Sequence, residues 1–327
     1  RIAALEATAD GIRWTFAPMI DVSRDSRWGR IAESFGEDPV LAAAMGVASL
    51  RGFQSTSLKD SSAMAACAKH FAGYGASEGG KDYNSTQIPE RLMRNIYLYP
   101  FEQVARQGIA TFMTSFNDND GIPMTGNSYY NRKILRDEWK FDGFVVSDWE
   151  STGQMIPHGY AANKKEVARI AANAGVDMEM VSQTYFDYLK ELVAKKQVSM
   201  ESIDQAVRNI LRIKYRLGLF ENPYTHAKKD STIYAPEHLR IARQAAVEGA
   251  VLLKNENVLP LNQNRKPSLA LWLTPRMTNW EPGRSMVTKT RPSRRCVPCR
   301  PNTKISTISM NRDWPIRATG TQAILKK

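Results

Sequence analysis

Cysteine and histidine are scarce: three and four respectively in 327 residues. Three cysteines define no disulfide framework. Cys67 stands alone, and Cys296 and Cys299 form a single C-x-x-C with no second pair and no nearby histidines. Four-ligand zinc sites need more than that, so no metal and no cofactor is expected. No apolar run approaches the roughly 18 residues of a membrane-spanning helix. An export signal is also missing: the chain opens on Arg1 and moves straight into "IAALEA", which reads as mid-helix. The expectation is a fragment whose start lies upstream.

What is present is a globular composition, 43% apolar and 24% charged. The net charge of +12 is unevenly placed. Residues 268–327 carry 12 Lys and Arg against 2 Asp and Glu, leaving 33 against 31 in the rest of the chain. A nucleic-acid partner is therefore not expected for the nearly neutral body, and the tail lacks the basic-aromatic spacing of a strand-tracking surface.

Residues 1–221 alternate strand-like and helix-like segments. "WTFAPMID" (14–21), "MAACAKHF" (64–71), "ATFMTSF" (110–116), "FVVSDW" (144–149) and "VDMEM" (176–180) read as strands. Between them, Asp38-Pro39 opens a helix as N-cap and first-turn proline, and residues 90–108 predict a helix ending at Gly108. "NRKILRDEWK" predicts a short helix and "KKEVARIAANAG" a longer one. Ser199 caps a further helix whose Ile203, Val207, Ile210, Leu211 and Leu217 fall on one face. Strict alternation predicts an α/β fold with a parallel sheet, here an incomplete (β/α)8 TIM-like barrel. The long segments 21–37 and 72–89 follow strands, where a barrel gathers its chemistry. Residues 222–267 read as a linker and the start of another domain. Residues 268–327 lose all periodicity and are expected to be disordered.

Four pieces stand at strand ends: "RDSRWGR", "KHF", "SFND" and "SDW". They offer cationic donors (Arg30, Lys69, His70), a carboxylate (Asp148) and an indole (Trp149). Such a set suits a sugar, whose hydroxyls take charged hydrogen bonds and whose apolar face stacks on a flat ring. In order, "WTFAPMIDVSRDSRWGRIAESFGEDP", "AACAKHFAGYG", "GFVVSDW", "AGVDMEM" and "VLLKNENVLPL" resemble the successive motifs of glycoside hydrolase family 3, in particular its bacterial periplasmic β-glucosidase branch. The resemblance covers about residues 1–267. It implies a barrel carrying the nucleophile, a following α/β sandwich domain carrying the acid/base glutamate, and retaining hydrolysis of a β-linked oligosaccharide or glucoside. It implies a periplasmic or secreted location. Residue by residue, it implies Asp148 as nucleophile, Arg30, Lys69 and His70 as sugar-binding residues, and Trp149 as a stacking surface on the aglycone side.

Three departures accompany the resemblance. Phe116 stands where the family commonly has a tyrosine, which removes a hydroxyl. The barrel's first strands would precede Arg1. After "LPL" the sandwich domain should continue, and instead "SLALWLTPRMTNW" reads like its opening stretch out of frame. No acid/base candidate is then visible, and "AGYGASEGGKDYNST" holds no histidine to replace it. The fragment is expected to be impaired, and a non-catalytic carbohydrate-binding remnant is the competing reading.

Plainer roles are open to several of these residues. Asp148 could cap a helix beginning at Glu150. Arg24, Asp25 and Arg27 fit an ion-pair lattice bracing their loop, and Asp177 and Glu179 fit structural hydrogen bonding. Trp14 and Trp28 fit packing, while His158, His226 and His238 carry no motif.

Overall fold

The computed structural model describes residues 1–225, 232–256 and 259–260. The expectations for residues 268–327, for His226 and for the Cys296–Cys299 pair therefore lie outside the described residues.

The described elements are α1 (Ile2–Ala9), α2 (Pro39–Gln54), β1 (Cys67–Phe71), α3 (Glu90–Leu92), α4 (Tyr99–Arg106), β2 (Thr111–Thr114), β3 (Asp118–Asn119) and β4 (Ile122–Pro123). They continue with β5 (Phe144–Trp149), α5 (Lys164–Ala174), β6 (Met178–Met180), α6 (Thr184–Ala194), α7 (Met200–Arg216) and α8 (Pro236–Glu248). Strands β1-β2-β5-β6 form one sheet in that order, and each adjacent pair is parallel. This is the α/β, barrel-type architecture that the alternation predicts. The small antiparallel pair β3–β4 was not legible in the sequence.

Period-2 alternation sends apolar residues to both faces of the sheet, as expected for strands covered on each side. Ala66, Ala68, Phe112 and Val145 join the layer under the outer helices, with Leu50, Phe101, Val104, Ile134 and Val167. Cys67, Met113, Phe144 and Val146 point the other way and pack with Ile213 and Leu217.

The helix starts follow their caps. Asp38 accepts the backbone N–H of Val40 at 2.8 Å and of Leu41 at 3.4 Å, and Ser199 accepts that of Ser202 at 3.1 Å. Helix α5 ends on Gly175, in the left-handed conformation that glycine accepts without strain.

Several elements differ from expectation. Residues 14–20 run beside β1 and the residues before it, with backbone hydrogen bonds such as Cys67 N–H to Ala17 O at 2.9 Å, but form only the isolated bridges Trp14–Ala65 and Met19–Lys69 rather than a strand of the sheet. Pro18, lacking an N–H, cannot continue a ladder there. The helix expected over 90–108 is split: α3, then a π-helical turn over Met93–Tyr97, then α4. Pro100 has no N–H to return to the preceding turn, and Leu98 N–H reaches back to Met93 O at 2.7 Å. The helix at Tyr129–Glu138 is π throughout. On α7, Val207 and Leu211 face solvent, while Asn209 and Ile213 are the buried positions. The buried stripe is rotated because α7 must present Asn209 to Asp177, at 2.9 Å.

Gly143 is a tight point of the sheet. A Cβ there would lie 1.9 Å from Ala110 O and 2.6 Å from the Phe141 ring. Gly143→Ala is expected to force β2 and β5 apart and to destabilise the fold by about 1–3 kcal/mol or more. Urea-unfolding midpoints of the two proteins check this; an unchanged midpoint would refute it.

Candidate active site

The site gathers at the carboxyl ends of the strands. Two pairings in the sheet lose register there. Between β1 and β2 the register runs from Ala68–Phe112 to Phe71–Thr114, so β1 carries one extra residue across Lys69-His70. Between β5 and β6 it runs from Val146–Met178 to Trp149–Met180, so β5 carries one extra residue across Ser147-Asp148. A bulge of this kind bends a strand and re-aims its side chains. Both bulges fall on residues that the motifs single out.

Their consequence is a chain of three side chains. His70 is wholly buried, its Nδ1 is 2.7 Å from Asp21 Oδ2, and its Nε2 is 3.3 Å from Asp148 Oδ2. Asp21 Oδ2 also accepts the backbone N–H of His70, at 2.9 Å. Burial pushes Asp21 up to about 7. It pushes His70 down to about 3, with the Arg30 guanidinium adding to the effect. Both shifts favour neutral forms, because desolvation penalises charge. The neutral arrangement has the Asp21 carboxyl O–H donating to Nδ1 and the Nε2–H of His70 facing the Asp148 carboxylate without a hydrogen bond to it.

Asp148 itself sits at the end of β5, its side chain 13% exposed. Its Oδ1 accepts the backbone N–H of Trp149 at 2.6 Å. It does not cap a helix: a turn follows, with the Ser151 N–H on the Asp148 backbone carbonyl at 3.1 Å. Ser147, pointing inward, accepts the N–H of Met180 at 2.8 Å and ties the bulge to β6. Trp149 is exposed beside Asp148, so its indole is open to a ligand.

Lys69 makes no side-chain hydrogen bond or ion pair among the described residues, but its charge acts on Asp21, His70 and Glu33. Arg30 reaches the same cluster and is engaged by Glu33, Nε to Oε1 at 2.7 Å, with its guanidinium 5.7 Å from the Tyr74 ring centre. The structure thus brings Arg30, Lys69, His70, Asp148 and Trp149 to one end of the sheet. It adds Asp21, to which the motif reading gave no role. Asp21 ends an apolar run just as Asp148 does, and that parallel was the available signal.

The two long loops close the walls. Gly80 has φ +67°, and a Cβ there would lie 2.8 Å from the backbone of Arg27 and Trp28. The segment 72–89 therefore lies directly on 21–37. Trp28 is buried with Tyr74, Phe116 and Met19, and Trp14 donates from Nε1 to Thr111 Oγ1 at 3.0 Å. In "SFND", Asn117 donates to Thr86 Oγ1 at 3.2 Å, and Asp118 accepts from Ser85 Oγ at 2.6 Å and meets His158 Nδ1 at 2.8 Å. These residues brace the loop and give His158 a structural partner. Asp25 pairs with Arg27 as expected, at 2.6 Å on the exposed loop, while Arg24 reaches the Tyr97 hydroxyl.

Asp177 and Glu179 are structural. Asp177 accepts from Arg136 Nη2 (2.6 Å), Val145 N (2.7 Å) and Asn209, and Glu179 accepts from Thr184 Oγ1 (2.7 Å) and Tyr185 N (2.8 Å) at the start of α6. A cavity of about 440 Å³ lies by Asp177, Arg136 and Asp142, at the amino-terminal end of β5 and away from Asp148. Its polar groups are already paired, so it is not the site. Buried Cys67 has its thiol pushed up to about 12 by burial and is no nucleophile. Among the described residues, no three His, Cys, Asp or Glu side chains are arranged to hold a metal ion, and no helix is long and apolar enough to cross a membrane.

Comparison with known proteins agrees with this geometry. Residues 1–213 match the glycosyl hydrolase family 3 N terminal domain. The periplasmic beta-glucosidase of Salmonella typhimurium is 40% identical over 271 residues, 81% of this chain and 35% of its own length. A beta-xylosidase of Formosa agariphila is 37% identical over 282 residues, 82% of this chain and 39% of its own. The beta-glucosidase of Listeria innocua, solved in complex with glucose, superposes with a TM-score of 0.77 at 44% identity, covering 80% of this chain and 37% of that one. The chain thus spans little more than a third of the length of these relatives. The match over residues 1–213, well over half of the chain, with the expected motifs at one end of a parallel sheet, makes it a member of glycosyl hydrolase family 3.

Proposed function

We propose that this chain is the nucleophile-bearing barrel of a retaining β-glucosidase. The observation that carries the reading is Asp148, set on a strand bulge at the carboxyl end of β5 with its Oδ2 3.3 Å from Nε2 of the buried His70. One oxygen of the Asp148 carboxylate attacks the anomeric carbon of a β-glucoside. The bond from that carbon to the leaving oxygen breaks, and a glycosyl-enzyme ester forms, which water then hydrolyses. Lys69 and Arg30 take sugar hydroxyls, and Trp149 covers the aglycone side. A glucoside substrate is favoured by the relatives solved with glucose and with laminaribiose, and a periplasmic or secreted setting by the periplasmic relative.

Retaining hydrolysis needs a second carboxyl to protonate the leaving oxygen, about 5–5.5 Å from the first. Asp21 does not meet that need. It is buried behind the imidazole ring of His70, which separates it from Asp148. The family resemblance implies that the acid comes from a following sandwich domain, and without that domain natural glucosides are expected to turn over poorly.

A substrate with an activated leaving group removes the need for the acid. On incubation with 2,4-dinitrophenyl 2-deoxy-2-fluoro-β-glucoside, dinitrophenolate is expected to leave unassisted and a covalent sugar adduct to form on the peptide containing Asp148. Asp148→Asn should give none. Peptide mass spectrometry checks this. Absence of an adduct with retained binding of glucose would favour a non-catalytic carbohydrate-binding remnant, and an adduct on another carboxylate would overturn the role of Asp148.

The same assay has a predicted pH profile. Below about 7, Asp21 is protonated and donates to Nδ1, which leaves the Nε2–H facing Asp148. As pH rises through about 7, Asp21 ionises, the ring proton moves to Nδ1, and Nε2 turns a bare lone pair toward Asp148. The labelling rate is therefore expected to fall on the alkaline side. Asp21→Asn removes that limb, at a lower overall rate, because an amide cannot both accept the His70 backbone N–H and donate to Nδ1 from one atom. A limb unmoved in Asp21→Asn would assign it to another group.

A further inference from the structure

Asp148 lies between Ser147 and Glu150 on a stretch of chain that is tied at both ends to one residue of β6. Ser147 Oγ accepts the Met180 N–H at 2.8 Å, and Met180 O accepts the Glu150 N–H at 3.0 Å. Both main-chain polar groups of Met180 are therefore taken up by the bulge that carries the carboxylate. The same Ser147 hydroxyl donates to the backbone carbonyl of Asp148 at 3.0 Å, and that carbonyl also accepts the Ser151 N–H at 3.1 Å. Ser147 is wholly buried, and its one oxygen acts as donor and acceptor at once.

Backbone strain gathers around the same point. Glu150 has φ +54° and Val181 has φ +70°, left-handed conformations that residues other than glycine seldom adopt and β-branched ones least of all. At Val181 the Ser182 N–H turns back to Met180 O at 2.9 Å, an i to i+2 bond of the γ-turn type. Met180 O thus accepts one N–H from its own strand end and one from the turn after Asp148. Strained residues persist where their surroundings over-determine them. On the other side of β5, Ser151 Oγ lies 3.0 Å from Thr125 Oγ1, which lies 2.9 Å from Thr114 Oγ1 on β2. The turn after Asp148 is anchored to both strands that neighbour β5.

The carboxylate itself is held less tightly than its backbone. Oδ1 accepts the N–H of the next residue, Trp149, at 2.6 Å, and Oδ2 lies 3.3 Å from His70 Nε2 without a hydrogen bond to it. Among the described residues, no side chain of another strand donates to it. Its direction follows from the main chain on which it stands.

We propose that Ser147 is a positioning residue for Asp148: by joining the Met180 N–H to the Asp148 carbonyl, its hydroxyl sets the backbone of the bulge and with it the direction of the carboxylate. Alanine in its place removes the acceptor and the donor together, freeing one flank of the clamp while leaving the carboxylate, Lys69 and Arg30 in the chain. In its kinetic consequence this assignment rests on the glycosidase reading; in its geometry it does not.

Two measurements on the full chain separate these. In the first, crystal structures of the wild type and of Ser147→Ala are compared. The Asp148 carboxylate of Ser147→Ala is expected to be displaced or to occupy more than one position, with its 3.3 Å approach to His70 Nε2 lost. A carboxylate that superposes on the wild type overturns the proposal whatever the protein's activity. In the second, Asp148 is labelled with the fluoroglucoside over a range of concentrations, well below the thermal midpoint of either protein. Ser147→Ala is expected to lower the saturating rate by at least about tenfold, because attack is sensitive to small misplacements. The concentration giving half of that rate should stay near wild type, since the sugar-binding residues are untouched. A lower thermal midpoint with a saturating rate within about twofold of wild type would reduce Ser147 to a structural part and overturn the positioning role. If the wild-type chain fails to label at all, the glycosidase reading falls, and the crystallographic comparison still decides what Ser147 does to Asp148.

Discussion

A single imidazole ties the mouth of this barrel together. His70 comes from β1, Asp21 from the segment that runs beside it, and Asp148 from β5, two strands away across β2. Burying a histidine completely is costly unless both ring nitrogens face suitable groups. Nδ1 has its partner in Asp21 at 2.7 Å, while Nε2 makes no hydrogen bond among the described residues and lies 3.3 Å from Asp148 Oδ2. The strand ends are therefore related through one buried hydrogen bond and one close approach on the two sides of a single ring. Losing Asp21 leaves a second buried nitrogen without a partner.

That chain of contacts requires the two bulges. In a regular strand, neighbouring residues point to opposite faces, and a partner two strands away is reached only by side chains on the same face. The extra residue at Lys69-His70 and the extra residue at Ser147-Asp148 break the alternation where it must be broken. Each lets the strand bury its apolar members on the usual faces up to Ala68 and Val146 and then deliver a polar pair at the rim. The sheet is regular where it needs stability and irregular where it needs chemistry.

This division explains what could be read in advance. Four of the five strand positions, the α/β alternation, the Asp38 and Ser199 caps and the terminating Gly175 are local properties of short windows, and they stand as expected. The candidate site residues were selected by a local sign too, charged residues after apolar runs, and they lie together at one end of the sheet. What the local pattern could not carry is long-range. Nothing within "WTFAPMID" reveals that residues 14–20 form isolated bridges rather than a full strand of the sheet. Nothing within α7 shows that Asn209 must turn inward to Asp177 and so carry Val207 and Leu211 outward. Asp21 was hidden for a related reason: its role exists only once His70 is placed between it and Asp148. The π-helical turn before Pro100 is a partial exception, because a proline within a helical pattern is a visible warning.

The carboxylates of the sheet show why residue type alone does not mark a site. Asp177 stands just before β6 and Asp148 lies in the adjacent strand β5, and both follow or end apolar stretches. Asp177 meets a guanidinium, a backbone N–H and a side-chain amide, so its acceptor capacity is filled by the protein itself. Burial still raises its pKa, with Arg136 opposing, but nothing is left over for a ligand. Asp148 has one backbone N–H and one imidazole, stands at the rim, and keeps lone pairs toward open space. A saturated carboxylate holds a fold together; an unsaturated one keeps acceptor capacity for something outside the protein. The difference lies in how many donors surround each group, and that number is set by the topology of the sheet.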